Sequence, residues 1–174
     1  MADAYNILVL CTGNSARSIL AEAILNRDGL GRFIGFSAGS DPKPAPHPQA
    51  LTLLQGLGHD ISALRSKSWD EFAGPDVPKM DVILTVCDNA AGETCPIWPG
   101  HPVSAHWGLP DPASAPEADQ PEAFAETYRR LQARVKAFMA LPVETLDAAQ
   151  LGALLTAIGA QDDTVYSPKQ GQPE

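Results

Sequence analysis

The sequence predicts an α/β fold, a three-layer sandwich around a central parallel sheet of four strands. Two continuous apolar runs, residues 6–10 and 81–86, are typical of strands buried on both faces of a parallel sheet. Segments with apolar residues at helical spacing alternate with them. The 174 residues suit one domain with an aliphatic core, because only 6% of them are aromatic.

Each predicted element follows from its local pattern. Strands are predicted at residues 6–11, 33–37, 81–86 and 103–107, and helices at residues 18–30, 47–57, 118–140 and 151–158. Each predicted helix has apolar residues on one face, which is expected to point into the core. In chain order these residues are Ile19, Leu20, Ala23 and Ile24; Ala50, Leu51, Leu54 and Leu57; Phe124, Tyr128, Leu131, Val135 and Phe138; and Leu151, Leu154, Leu155 and Ile158. Asp147 and Gln150 form a predicted capping pair before the last helix. Prolines at alternate positions predict an exposed extended loop over residues 39–48, and the tail from residue 160 is predicted to fray.

Charge and composition exclude several partner classes. Twelve basic and 21 acidic residues give a net charge of −9, and no run of Lys or Arg exists that could neutralise a nucleic-acid backbone. No apolar run approaches the roughly 18–20 residues that span a bilayer, so no membrane partner is expected. The first residues lack a signal-peptide pattern, and three cysteines are too few for a secreted disulfide framework. We therefore expect a cytoplasmic protein.

The segment from Cys11 to Ser18 has the pattern Cys-x5-Arg-Ser and lies between a buried strand and a helix start. Inward-pointing backbone N–H groups of such a loop can hold a tetrahedral oxyanion, and Arg17 can add bidentate hydrogen bonds. The same positive field is expected to lower the pKa of Cys11 and make it a nucleophile, with Ser18 donating a hydrogen bond to the sulfur. The expected oxyanion-binding residues are Thr12, Gly13, Asn14, Ser15, Ala16 and Arg17.

Asp111 is the candidate general acid. It lies on a proline-stiffened segment after the fourth predicted strand, where a carboxyl group could protonate a departing oxygen. The alternative is an ordinary solvated aspartate in a turn.

The other two thiols, Cys87 and Cys95, are separated by seven residues. They could form a disulfide, remain two unrelated buried cysteines, or bind a metal with His101 and His106, although that spacing fits no standard zinc pattern. We expect no metal site. The four histidines are predicted to be caps or surface groups, and Lys67 to be a surface charge.

These motifs resemble the low-molecular-weight protein tyrosine phosphatases, and more closely the thioredoxin-recycled arsenate reductases built on that fold. The matching pieces lie between about residues 5 and 140: the Cys11–Ser18 loop, Ser37-Ala38-Gly39, Cys87 with Cys95-Pro96, and residues 106–108 followed by Asp111-Pro112-Ala113. The resemblance implies a phosphatase-like domain over residues 1–142. Residues 143–174 are then a C-terminal helical extension and tail of the same domain.

The resemblance also implies a mechanism. Cys11 would attack arsenate while Asp111 protonates the leaving oxygen. Cys87 would then attack Cys11, expel arsenite and leave a Cys11–Cys87 disulfide. Cys95 would resolve it to a Cys87–Cys95 disulfide. No cofactor would be bound, and thioredoxin would be the external reductant, with glutathione and glutaredoxin as the alternative.

Two other functions stay open at this point. A phosphatase acting on phosphate monoesters would need only Cys11 and Asp111, and a thiol-based sensor would bind the anion without turnover. The sequence differs from its relatives at Ala16, where many have another cysteine, and in a Cys87–Cys95 spacing that is one residue longer. Asn14, Glu22 and Ser37 match a potassium site of some relatives, but Lys67 stands where an acid would help, so we expect no strong potassium dependence.

Overall fold

The computed structural model describes residues 3–87, 98 and 100–161. Its sheet has four strands, β1 (Tyr5–Cys11), β2 (Phe33–Gly39), β3 (Val82–Thr85) and β4 (Val103–His106), in the order β2-β1-β3-β4. All three neighbouring pairs are parallel. This confirms the predicted fold class.

Four α-helices lie on one side of the sheet in the described part of the chain. They are α1 (Arg17–Asp28), α2 (Pro48–Gly56), α3 (Gln120–Met139) and α4 (Ala148–Ala160). Asp147 and Gln150 form the predicted capping box of α4. Because every strand of the sheet runs the same way, the carboxyl ends of β1 and β3 lie at one edge, which brings Cys11 and Cys87 together.

The two faces of the sheet pack into separate cores. Ile7 and Val9 of β1 point toward the helices, whereas Leu8 and Leu10 point to the opposite face. The helical side includes the predicted stripe of α3, which is buried over its whole length. The opposite core contains Phe72, Met80, Ile83 and Trp98. Successive side chains of a strand point to opposite faces of the sheet. Because β1 has a core on each face, all of its central side chains are apolar.

Some element boundaries and inward positions were predicted wrongly. Helix α1 ends at Asp28 rather than at residue 30, because Leu30 has a positive φ of 52° that a right-handed helix cannot include. Leu57 and Leu154 were expected in the core but are 45% and 38% exposed. Leu57 follows the end of α2, and Leu154 lies on the outer face of α4.

Two predictions about the C-terminal part of the chain stay predictions. The tail from residue 162 lies outside the described residues. The assignment of residues 143–174 to the same domain stays a prediction, although α4 lies against the sheet through Leu151, Leu155 and Ile158.

Candidate active site

The Cys11–Ser18 loop connects the end of β1 to the start of α1. Cys11 is the last residue of β1 and Arg17 is the first residue of α1, so residues 12–16 form the turn between them. Cys11 is 5% exposed and lies at the carboxyl edge of the sheet. The sequence prediction placed this loop at the same position.

The carbonyl groups of the loop all accept hydrogen bonds from outside the turn. Backbone N–H groups of residues 41, 43 and 47 donate to the carbonyl oxygens of residues 12, 13 and 15, at 3.0, 2.9 and 2.8 Å. Ser66 Oγ donates to the Asn14 carbonyl at 2.6 Å, and the N–H of Leu20 in α1 donates to the Ala16 carbonyl at 3.0 Å. With its carbonyl groups turned outward, the loop can present its N–H groups to an oxyanion.

Asn14 fixes the shape of the turn. It is fully buried and has a φ of 45°, a left-handed conformation that Asn adopts more readily than most residues. Its Nδ2 donates to Ser18 Oγ at 2.8 Å, and its Oδ1 accepts from the Lys67 N–H at 2.9 Å. The predicted hydrogen bond from Ser18 to the Cys11 sulfur stays a prediction.

Arg17 faces the loop from the start of α1. Its Nη1 donates to the Leu109 carbonyl at 2.8 Å, which anchors the guanidinium. Its Nε is buried and has no hydrogen-bond partner among the residues that the structure describes. A buried donor without a partner is costly, and a bound oxyanion would satisfy it.

Asp111 lies beside Arg17. Its Oδ2 is 3.8 Å from Arg17 Nη2, and its side chain is 43% exposed. Its Oδ1 also accepts from the N–H of Ala113 at 3.0 Å, so the same carboxylate caps the following turn. The structure thus combines the two alternatives considered for Asp111, a turn aspartate and a carboxyl group next to the anion loop.

Cys87 lies directly against the loop. Its sulfur accepts a hydrogen bond from the Thr12 N–H at 3.3 Å and lies 3.6 Å from Thr12 Oγ1. Cys11 and Cys87 are both buried. Cys95 and its spacing to Cys87 fall outside the described residues, so the geometry of the third thiol stays a prediction.

The pKa of Cys11 is raised, contrary to our expectation. The main cause is a side-chain hydrogen bond with Cys87, followed by burial; Arg17 and the Thr12 N–H act in the lowering direction but are weaker. The sequence argument counted the positive field of the loop and omitted the second thiol. Two adjacent thiols favour the form in which Cys11 keeps its proton.

Lys67 is buried, and the prediction of a surface charge was wrong. Its Nζ donates to the carbonyl groups of Ser37 and Arg65 at 2.8 and 2.9 Å and lies 3.9 Å from Glu22 Oε1. Burial raises the pKa of Glu22, and the Lys67 charge opposes that rise. The ammonium group thus lies among the residues matched to a potassium site, while Glu22 Oε2 and Ser37 Oγ are buried without a hydrogen-bond partner among the described residues. The absence of a strong potassium dependence stays a prediction.

The histidines divide into three kinds. His47 caps α2, as predicted, by accepting from the Gln49 N–H at 3.1 Å. His59 was expected at the surface but is 7% exposed, with Nε2 2.7 Å from the Tyr128 hydroxyl. His101 and His106 are exposed. Among residues 3–87, 98 and 100–161, no group of His, Cys, Asp and Glu side chains could hold a metal ion.

The sequence analysis missed the residues that shape the loop from outside. Ser66 and the N–H groups of residues 41, 43 and 47 were not among the predicted site residues. The sequence contains a signal for two of these donors. Prolines at residues 42, 44, 46 and 48 have no N–H group, so within this stretch only the residues between them, 43 and 47 included, can donate. No comparable signal marks Ser66.

Comparison with known proteins agrees with this geometry. The chain matches the low molecular weight phosphotyrosine protein phosphatase family over residues 6–151. It belongs to this family. Within the family it is 33% identical to an arsenate reductase of Halalkalibacterium halodurans, over 76% of this chain and 93% of that protein.

Solved structures of the family have the same fold. An arsenate reductase in the phosphate binding state superimposes with a TM-score of 0.64 at 26% identity, over 78% of this chain and 97% of that one. A thioredoxin-dependent arsenate reductase of Corynebacterium glutamicum gives a TM-score of 0.56 at 24% identity, over 78% of this chain and 62% of that one. The resemblance stated from the sequence is therefore confirmed for this family member. In the part of the chain that the structure describes, no helix has the length and apolar character needed to cross a bilayer.

The raised pKa of Cys11 gives a first prediction. Replacing Cys87 by Ala removes the main cause of the rise, so the pKa of Cys11 falls and its thiolate forms at lower pH. We expect the pH midpoint for alkylation of Cys11 by iodoacetamide, measured by peptide mass spectrometry without oxyanions, to move downward. Ser104→Ala, at an exposed position of β4, is the control and should leave the midpoint unchanged. Equal midpoints in Cys87→Ala and wild type would contradict the assigned cause.

The position of Lys67 gives a second prediction. Lys67→Met leaves buried carbonyl groups and Glu22 without their cation, and breaking a buried ion pair costs about 3 kcal/mol of unfolding free energy. Potassium chloride should restore part of that loss relative to choline chloride, whereas wild type should not respond. Lys136→Met, at an exposed lysine of α3, is the control in thermal unfolding. Equal potassium stabilisation of wild type and Lys67→Met would refute the assignment.

Proposed function

We propose that this protein reduces arsenate to arsenite, with the two electrons supplied by the thiols of Cys11 and Cys87. The observation that carries the proposal is the contact of these two buried cysteine side chains at the base of the anion loop. A disulfide between them requires little movement, and its formation releases two electrons. The similarity to arsenate reductases at 33% identity supports the same choice of substrate.

The loop residues bind the oxyanion in this proposal. The N–H groups of residues 12–16 surround the anion, and the unpaired Arg17 Nε completes its hydrogen bonds. The N-terminal end of the α1 dipole and the Arg17 guanidinium both carry positive charge at this place. They therefore favour an anion there over a neutral molecule. A relative solved in a phosphate binding state is consistent with an oxyanion in the corresponding loop.

The first chemical step joins sulfur to arsenic. The Cys11 thiol passes its proton to an oxygen of the arsenate dianion, and Cys11 Sγ attacks arsenic. One arsenate hydroxyl then leaves as water after Asp111 has donated a proton to it. The product is a thioester-like arsenic adduct on Cys11, with arsenic still in its pentavalent state. The carboxyl group beside Arg17 is placed to serve the leaving oxygen.

The second step moves the electrons. The Cys87 thiolate attacks Cys11 Sγ, the sulfur–sulfur bond forms, and the sulfur–arsenic bond breaks with its electron pair on arsenic. Arsenic becomes trivalent and leaves as arsenite. The Thr12 N–H and hydroxyl group lie within hydrogen-bond reach of Cys87 Sγ and stabilise its thiolate for this attack.

The final steps regenerate the enzyme. Cys95 attacks Cys87, which frees Cys11 and leaves a Cys87–Cys95 disulfide for an external dithiol to reduce. We propose thioredoxin as that dithiol, since three thiols suit it better than a glutathione route, and a relative of the same fold is named thioredoxin-dependent. No cofactor is needed beyond this reductant, and a reducing cytoplasm suits the exchange.

A phosphatase acting on phosphate monoesters is the second candidate function. It would use Cys11, Arg17 and Asp111 in the same positions but gives no role to a buried thiol beside the nucleophile. Replacement of Cys87 therefore separates the two functions. A sensor that binds the anion without turnover differs from both in having no catalytic cycle.

The test is arsenate-dependent NADPH consumption with thioredoxin and thioredoxin reductase. We expect turnover in wild type and none in Cys11→Ser, Cys87→Ser or Cys95→Ser. Asp111→Asn should slow turnover by roughly 10²-fold or more, the usual contribution of a general acid, whereas the exposed control Asp119→Asn should not.

Two other outcomes would contradict the proposal. Wild type without turnover, but with hydrolysis of an aryl phosphate that depends only on Cys11 and Asp111, would assign the phosphatase function. Oxyanion binding without either reaction would assign the sensor.

A further inference from the structure

Residues 107–109, which lead to Asp111, are hydrogen-bonded to two neighbouring parts of the fold, the end of β3 and helix α3. The N–H groups of Trp107 and Leu109 donate to the carbonyl groups of Thr85 and Val86, at 2.6 and 3.1 Å. From α3, Arg134 Nη1 donates to the Trp107 carbonyl at 2.9 Å. Residues 107–109 thereby extend the pairing of β3 and β4 toward Asp111.

Helix α4 contacts the same segment through the side chain of Trp107. The indole Nε1 donates to the Leu155 carbonyl at 2.9 Å, and Trp107 is only 1% exposed. Leu155 is itself fully buried. A tryptophan N–H buried in this way needs an acceptor, and α4 provides it.

Helix α4 also touches the end of β4 with its backbone. A Cβ placed on Gly159 would lie 2.3 Å from the His106 carbonyl oxygen and 2.6 Å from Trp107 Cδ1. A glycine is therefore required there. Gly152 in the same helix differs, because its added Cβ would lie 3.5 Å from Val103 Cγ1, an ordinary contact.

These contacts come from the part of α4 that follows the family match. The match ends at residue 151, within α4, whereas Leu155 and Gly159 lie beyond it.

We propose that α4 is a positioning element for Asp111. It fixes Trp107 and the end of β4, so that the segment following them holds the Asp111 carboxyl group beside Arg17. This inference rests on the proposed role of Asp111 as general acid. It assigns the C-terminal extension to the first chemical step rather than to thiol exchange or oxyanion binding.

The matched pair Gly159→Ala and Gly152→Ala tests the contact. Both changes raise the helix propensity of α4 equally, but only the first forces the helix away from His106. We expect single-turnover arsenite formation to slow about tenfold or more in Gly159→Ala, since small displacements of catalytic groups have effects of this size. Gly152→Ala should match wild type. Inhibition by phosphate should be unchanged in Gly152→Ala. In Gly159→Ala it should weaken much less than the rate falls, because the loop is not altered and only the Arg17 anchor at Leu109 lies in the displaced segment.

A double-mutant cycle with Asp111→Asn shows whether α4 acts through the acid. Once the acid is removed, Gly159→Ala should cause no further loss of rate. A full further loss in the Asp111→Asn background, or a loss of phosphate affinity in Gly159→Ala as large as its loss of rate, would overturn the positioning role while leaving the acid role intact. Wild-type turnover in Asp111→Asn would instead overturn the acid role itself, and the positioning role with it.

A second variant keeps the test available if Gly159→Ala does not fold. Trp107→Phe retains an aromatic ring and removes only the indole donor to Leu155. We expect the same slower arsenite formation and the same absence of further loss in the Asp111→Asn background. Full turnover in a folded Trp107→Phe variant, together with full turnover in Gly159→Ala, would overturn the proposal.

Discussion

The outward attachment of the carbonyl groups in the turn after Cys11 is the constraint on which the rest of the site depends. Backbone N–H groups of residues 41, 43 and 47, together with Ser66, hold these oxygens away from the anion position. An anion loop whose carbonyl groups were free could rotate them inward and repel its ligand. The proline-rich segment, predicted as a plain exposed loop, thus also shapes the loop that we propose binds the anion. Prolines at alternate positions stiffen it, and two of the N–H groups between them, those of Lys43 and His47, donate to the loop.

In the proposed mechanism the same loop links anion binding to electron transfer. Thr12 belongs to the turn proposed to surround the oxyanion, and its N–H donates to Cys87 at 3.3 Å. The second thiol therefore touches both the nucleophile and the residue next to it. This arrangement explains the raised pKa of Cys11, because the neighbouring sulfur outweighs the positive field of Arg17. It also gives Cys87 a role that hydrolysis of a phosphate ester would not require.

Local sequence patterns predicted the fold and the Cys11–Ser18 loop. They did not predict several side-chain contacts between segments that are distant in the sequence. The apolar run before Cys11 identified a buried strand, and helical spacing identified the core face of α3. The burial of Lys67 and His59 could not be predicted in the same way, since each depends on partners from other elements, Glu22 and Tyr128 among them. The expected fall in the pKa of Cys11 was wrong for a similar reason. Its largest cause, Cys87, is 76 positions away and meets Cys11 only because β1 and β3 are neighbours.

Trapping the first disulfide tests the central claim most directly. Cys95→Ser removes the thiol that would resolve the Cys11–Cys87 bond, so one equivalent of arsenate should leave that bond in place. After acid quench, peptide mapping without reduction should find a Cys11–Cys87 disulfide together with one arsenite per chain, and phosphate in place of arsenate should give neither. Arsenite formation with both thiols still free, or a chain that arsenate leaves fully reduced, would contradict the account.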